Sequence, residues 1–130
     1  MNKLMAGSIA IVMFLLAGCT PQPAGFTVDD LYGIWTHGGD YNQFNEDGTY
    51  VVAASVDELT SRPIEYGDFR FEGTTLTFIT NEESGICAGK TGNYEVEMAE
   101  ASRIEITLVE DSCGARSRFL RNVFLKRYSP

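Results

Sequence analysis

NYEVEMAEASRIEITL, residues 93–108, holds two strictly alternating runs on either side of a polar break. Tyr94, Val96 and Met98 alternate with Asn93, Glu95 and Glu97; Ile104, Ile106 and Leu108 alternate with Arg103, Glu105 and Thr107. Successive strand side chains point to opposite faces, so each run is apolar on one side and polar on the other. Folding the pair about Ala99–Ser102 sets Met98 beside Ile104, Val96 beside Ile106 and Tyr94 beside Leu108. Both runs then assign the same face to a core. The same antiparallel return brings Cys87 and Cys113, equally far from residue 100, to the open end of the hairpin.

The pattern extends in both directions. Asp68-Phe69-Arg70-Phe71 alternates, and a turn at Glu72-Gly73 leads into Thr74–Phe78. A two-residue turn there opposes Phe71 to Thr74 and Phe69 to Leu76, and puts Phe69, Phe71, Leu76 and Phe78 on one face. Tyr41–Phe44 meets Thr49–Ala54 across Asn45-Glu46-Asp47-Gly48, where an Asp-Gly pair between apolar runs signals a hairpin. Ile34-Trp35-Thr36 begins the series. Arg118–Lys126 reads as its last strand, with Leu120 and Phe124 on one face and Phe119, Val123 and Leu125 on the other. Helix is expected only as single turns, one over 27–31 with Thr27 as cap and Asp30 three positions on, one over 55–61 capped by Ser55. About eight short, locally joined strands with no long helix to cover them would leave a flat sheet with open edges. An all-β, small antiparallel up-and-down barrel over residues 27–130 removes those edges. A two-sheet sandwich is the alternative, and it usually needs longer crossovers than this chain has.

The first residues carry a different message. Lys3 precedes an apolar run from Ile9 to Ala17, too short for a stable membrane span and suited to a secretory signal. Leu16-Ala17-Gly18-Cys19 resembles the bacterial lipobox, which implies cleavage before Cys19 and acylation of its thiol by chains such as palmitate. Residues 1–18 are then a signal peptide, and 19–26 a lipidated cysteine with a Pro- and Gly-containing tether. What is left is 112 residues with 9 bases and 18 acids, a formal charge of −9. So acidic a chain has no electrostatic case for nucleic acid. Its membrane contact would come through lipid on Cys19, since several acyl chains anchor firmly where one does not. Thr20 stands where, in Gram-negative lipoproteins, an Asp would retain the protein in the inner membrane. That pattern resembles an outer-membrane lipoprotein facing the periplasm. With Cys19 occupied, Cys87 and Cys113 are an even pair in an oxidising compartment, and a disulfide is expected. Closing that 26-residue loop contributes roughly 3.5 kcal/mol on the chain-entropy account.

Leu31-Tyr32-Gly33-Ile34-Trp35 resembles the Gly-x-Trp opening of lipocalins and their calycin relatives. Cys87, Gly92-x-Tyr94-x-Val96 and Asp111-Ser112-Cys113-Gly114-Ala115-Arg116 are similar to motifs of small bacterial lipocalin-like lipoproteins, over roughly residues 27–128. The resemblance implies a tryptophan that closes the base of the barrel against a basic side chain of the last strand, Arg121 or Arg118. It also implies an interior that holds an apolar or amphiphilic small molecule. Phe69, Phe71, Leu76, Phe78, Tyr94, Val96, Met98, Ile104, Ile106 and Leu108 are the candidates to line or fill that interior.

The residues themselves name no reaction. Asp111 and Arg116 flank Cys113, and the simplest role for them is structural: Asp111 caps the turn and Arg116 pairs with it. His37 lies beside Gly38-Gly39 with no nucleophile placed by any motif. Glu82-Glu83 and Asp29-Asp30 lack the spacing of a calcium loop. No phosphate loop, metal motif or nucleophile elbow occurs, and no cofactor is expected. The expectation is a non-catalytic, membrane-tethered binding barrel for a small hydrophobic ligand. The competing reading is an interaction or inhibitor module that engages another envelope protein through its loops.

Overall fold

The computed structural model describes residues 25–130 and runs α1 (Val28–Leu31), β1 (Gly33–His37), β2 (Asp40–Phe44), β3 (Thr49–Ala53), α2 (Glu58–Ser61), β4 (Glu65–Glu72), β5 (Thr75–Thr80), β6 (Thr91–Glu100), β7 (Arg103–Asp111), α3 (Gly114–Leu120) and β8 (Val123–Arg127). Each strand pairs antiparallel with the next, and β1 also pairs with β8, so the sheet closes into a calycin-type barrel of eight strands. The signal segment, Cys19 and the tether up to residue 24 lie outside the described residues.

The central hairpin has the expected register, with Tyr94 opposite Leu108, Val96 opposite Ile106 and Met98 opposite Ile104. Val109 is the extra residue that shifts the ladder before Asn93 pairs with Glu110. The β4–β5 hairpin differs from the expected register by two residues: Phe71 faces Leu76 and Phe69 faces Phe78, because the turn is Gly73-Thr74. Gly73 takes φ +62°, which a glycine adopts without steric cost. A two-residue slip preserves side-chain parity, so all four apolar groups stay on the inner face.

The last segment departs further. Residues 114–120 form α3, not the start of a strand, and β8 begins only at Val123. Arg116, Ser117 and Leu120 make the buried face of α3, a helical and not an alternating spacing.

The two ends of the barrel are built differently. Tight hairpins at 45–48, 73–74 and 101–102 lie at the same end as α1. The longer connections, 54–64, 81–90 and 112–122, lie at the other. At the α1 end, Trp35 donates its indole N–H to Leu31 O at 2.7 Å. Arg127 is the basic side chain that covers the tryptophan, its guanidinium carbon 4.2 Å from the ring centroid, so neither Arg121 nor Arg118 takes that part. Arg127 also donates to the Tyr32 and Asp30 carbonyls at the end of α1. Phe26 packs edge-on against Phe71 at 5.6 Å between ring centroids.

Candidate functional site

The barrel interior is occupied along most of its length. Phe69, Leu76, Phe78, Tyr94, Val96, Ile104 and Ile106 are buried in one cluster with Trp35, Phe44, Tyr50, Leu120 and Leu125. Phe71 and Leu108 are half-buried against it. Met98 is 44% exposed, which contradicts its place among the interior residues. The reason is a length mismatch: β5 pairs with β6 only as far as Thr75–Glu95, and the far end of β6 overhangs with no neighbour on that side.

Above this filled section, at the end opposite α1, a cavity of about 160 Å³ remains. Asp40, Asn42, Val52, Glu65 and Phe78 line it from the strands, Ile64 and Ile86 from the connections, and Ala115, Arg116, Phe119 and Leu120 from α3. Strand parity explains the walls, since Asn42 shares its face with Phe44 and Val52 shares its face with Tyr50. Helix α3 forms the roof. The Cys87–Cys113 disulfide, with Cα atoms 5.3 Å apart, ties the start of α3 to the 81–90 connection. Of the ten interior candidates, Phe78 reaches the cavity; the others fill the barrel below or lie at its rim.

Beside the cavity stands a buried polar network that the sequence reading found only in part. Arg116 donates Nε–H to Asp111 Oδ2 at 2.6 Å and Nη2–H to Oδ1 at 2.8 Å. Its Nη1 donates to Thr80 Oγ1 at 2.6 Å and to Glu65 Oε2 at 3.1 Å. Tyr50 donates to Glu65 Oε2 at 2.6 Å and lies 2.7 Å from Thr80 Oγ1; Tyr94 donates to Asp111 Oδ2. Cys113 N–H donates to Asp111 Oδ1 at 2.7 Å, the expected turn cap. Gly92 makes room for this arrangement, because a Cβ there would collide with the Asp111 carboxylate. The Gly-x-Tyr and Asp-x-Cys-x-x-Arg motifs are thus two halves of one buried ion-pair network around Arg116.

The two carboxylates respond in opposite ways. Burial raises the pKa of Asp111, yet the bonds from Arg116, Tyr94 and Cys113 outweigh it and hold the carboxyl below its usual range. For Glu65 burial dominates, and the bonds from Tyr50 and Arg116 do not offset it, so its pKa is raised. Asp40, at the cavity edge, is raised by burial against the opposing effect of His37. Both tyrosines are pushed up, first by burial and then by the neighbouring carboxylates, so they remain donors.

His37 packs edge-on against Phe119 at 5.2 Å. A broader concavity of about 750 Å³ runs along the outer side of β3, β4 and β5 past Glu82 and Glu83. Among the described residues, no group of three or more His, Cys, Asp or Glu side chains could hold a metal ion, and no helix is long and apolar enough to cross a membrane. The signal that could have found Asn42, Glu65 and Thr80 is their parity: all three are polar residues at inward positions of strands. In comparisons with known proteins, the chain matches no family model, no curated protein and no solved structure.

Proposed function

We propose that this chain is a lipocalin-like lipoprotein of the cell envelope that binds a small apolar or amphiphilic molecule without catalysis. The half-open cavity beneath α3 carries the reading: it lies between the barrel mouth and a disulfide-tied helix, and most of its lining is apolar. A site of this kind encloses a ligand by shape and leaves orientation to a few polar groups. The lipobox resemblance supports acylation of Cys19, loss of residues 1–18 and attachment to the outer membrane on its periplasmic side. The charged groups beside the cavity are engaged with one another, which suits a structural role for the network.

The surface-interaction reading has less support. The exposed large apolar side chains among the described residues are Ile86, Met98, Val109 and Phe124. They stand on four different elements, and the one aromatic among them lies under Arg103, 4.4 Å from its guanidinium carbon.

Native mass spectrometry of the chain extracted gently from its own host membranes tests the proposal. The expected spectrum shows a chain starting at an acylated Cys19 with a reproducible small-molecule adduct. Val52→Phe, which fills the cavity, should remove the adduct while the chain stays folded. A folded wild-type chain with no adduct and no affinity for environment-sensitive apolar dyes would overturn the binding role. An unmodified chain starting at Met1 would overturn the anchor.

A further inference from the structure

The cavity is lined by one charged group that the fold leaves without a partner. Asp40 opens β2, on the inward face that carries Asn42 and Phe44, and lies at the rim of the cavity, half-buried. Among the described residues both ion pairs belong to Arg116, and neither includes Asp40. His37 stands opposite Asp40 in the β1–β2 register, but its ring is set edge-on against Phe119. Burial raises the Asp40 pKa, and His37 offsets only part of that effect. A carboxylate partly out of water with no cation in contact carries a desolvation cost that an incoming cation would offset.

The other charged groups around the cavity are spent on one another. Each Arg116 nitrogen is engaged, Nε and Nη2 with Asp111 and Nη1 with Thr80 and Glu65. Glu65 accepts from Tyr50 as well. Asp40, Glu65 and Asp111 set three carboxylates against one guanidinium, on a chain whose formal net charge is −8. An anion entering the cavity meets this negative excess and finds its one guanidinium already taken. An uncharged ligand leaves Asp40 as it was. Only a cation finds a free partner, and the field of an acidic chain favours its approach.

The rest of the lining sets the body of that cation. The cavity measures about 160 Å³, and an apolar cavity of about 150 Å³ takes a benzene-sized molecule. A body of that size lies against Val52, Phe78, Phe119 and Leu120. Because the cavity is half-open, a charge at the rim keeps part of its hydration, which lowers the cost of forming the pair.

We infer that the ligand of this cavity is a small primary amine, its ammonium held against the Asp40 carboxylate at the rim and its benzene-sized apolar body beneath α3. This rests on the proposed binding role of the cavity and adds the charge of its occupant.

Four ring probes separate the alternatives: cyclohexylammonium, cyclohexanol, methylcyclohexane and cyclohexanecarboxylate. Each is titrated into the ¹⁵N-labelled full chain in nanodiscs of zwitterionic phosphatidylcholine, with empty nanodiscs correcting for uptake into lipid. Cyclohexylammonium should bind roughly tenfold more tightly than cyclohexanol, the effect of one charge-assisted hydrogen bond discounted for partial exposure. It should move the backbone amide resonances of Asp40, Val52 and Leu120, and cyclohexanecarboxylate should bind most weakly of the four. Asp40→Asn should bring the ammonium down to the affinity of the alcohol, whereas Asp40→Glu, which keeps the charge, should keep the preference. Wild-type affinity for the ammonium no higher than for either uncharged probe overturns the inference while leaving the binding role standing. So does tightest binding of the carboxylate probe, or an ammonium preference that survives Asp40→Asn. Ammonium shifts confined to the outer surface past Glu82 and Glu83 overturn it too, because they show attraction to the acidic exterior alone. Failure of all four probes to bind overturns the binding role and the inference with it.

Discussion

At Arg116 one guanidinium serves two buried carboxylates unequally, and the inequality predicts how stability follows pH. Asp111 receives two of its bonds and has a folded-state pKa below the usual 3.8. Its stabilising contribution is therefore present above pH 3.8 and is lost as pH falls through the folded value. Glu65 receives one bond from Arg116 at 3.1 Å and has a folded-state pKa above the usual 4.5. The folded chain then binds the Glu65 proton more readily than the unfolded one, so this group favours folding as pH falls toward 4.5 and opposes it as pH rises. Asp40 acts in the same sense as Glu65, and the exposed Asp47 and the half-buried Glu95 in the sense of Asp111. Urea unfolding between pH 3 and 7 should show Glu65→Gln flattening the decline above pH 4.5, at a cost within about 1 kcal/mol at pH 7, because the Asp111–Arg116 fork survives. Asp111→Asn should flatten the drop below pH 3.8 and cost about 3–5 kcal/mol at pH 7, since it leaves Arg116 short of a partner. Equal damage from the two substitutions would contradict the asymmetry. The Asp111–Arg116 pair was legible in the sequence because only four residues, one of them Cys113, separate its members. Tyr50, Glu65 and Thr80 were not, since each comes from a different strand and only the registers of β3–β4 and β4–β5 bring them together.

Strands announce themselves through their period, and the central hairpin was readable to the residue because Tyr94–Met98 and Ile104–Leu108 each alternate without a fault. Helix α3 was not readable. Phe119-Leu120 and Val123-Phe124-Leu125 supply apolar residues at odd and even positions alike, which suits a strand buried on both faces as well as a helix followed by a strand. What decides for helix is tertiary: Arg116 must reach Asp111 and Glu65 while Leu120 enters the core, and a turn of helix puts both on one side. The disulfide then holds the N-terminus of this roof. Replacing Cys113 by Ser, or reducing the bond, should cost about 2–5 kcal/mol in chemical denaturation. Hydrogen exchange should rise in 81–90 and 114–120 while the hairpin turn at 45–48 keeps its protection. Uniformly faster exchange over the whole barrel would show that the bond stabilises the molecule globally and not the roof.

A closed barrel is as sound as its shortest seam, and here that seam is β1 against β8. It has two paired positions in its register, Trp35–Arg127 and Thr36–Lys126, where β4–β5 has six. So short a ladder needs help from side chains, and Arg127 supplies it from the last residue of β8. It stacks on Trp35, donates to the Tyr32 and Asp30 carbonyls, and leans over Gly33, where φ is +116° and a Cβ would approach Nη1 to 2.9 Å. One side chain thus joins the final strand, the first strand and α1. The existence of such a latch was legible from Gly33-Ile34-Trp35; its partner was not, because locating Arg127 requires knowing that β8 starts after a helix, which moves the strand toward the C-terminus. Arg127→Ala should cost about 2–4 kcal/mol, from lost cation–π contact and two carbonyls left without their charged donor. Arg121→Ala and Arg118→Ala, both exposed, should stay within about 0.5 kcal/mol. Thermal unfolding followed by Trp35 fluorescence measures all three, since the indole beneath Arg127 reports opening of the seam directly. If Arg121→Ala or Arg118→Ala unfolds the chain as readily as Arg127→Ala, closure does not depend on this latch, and the barrel is held by its hairpins alone.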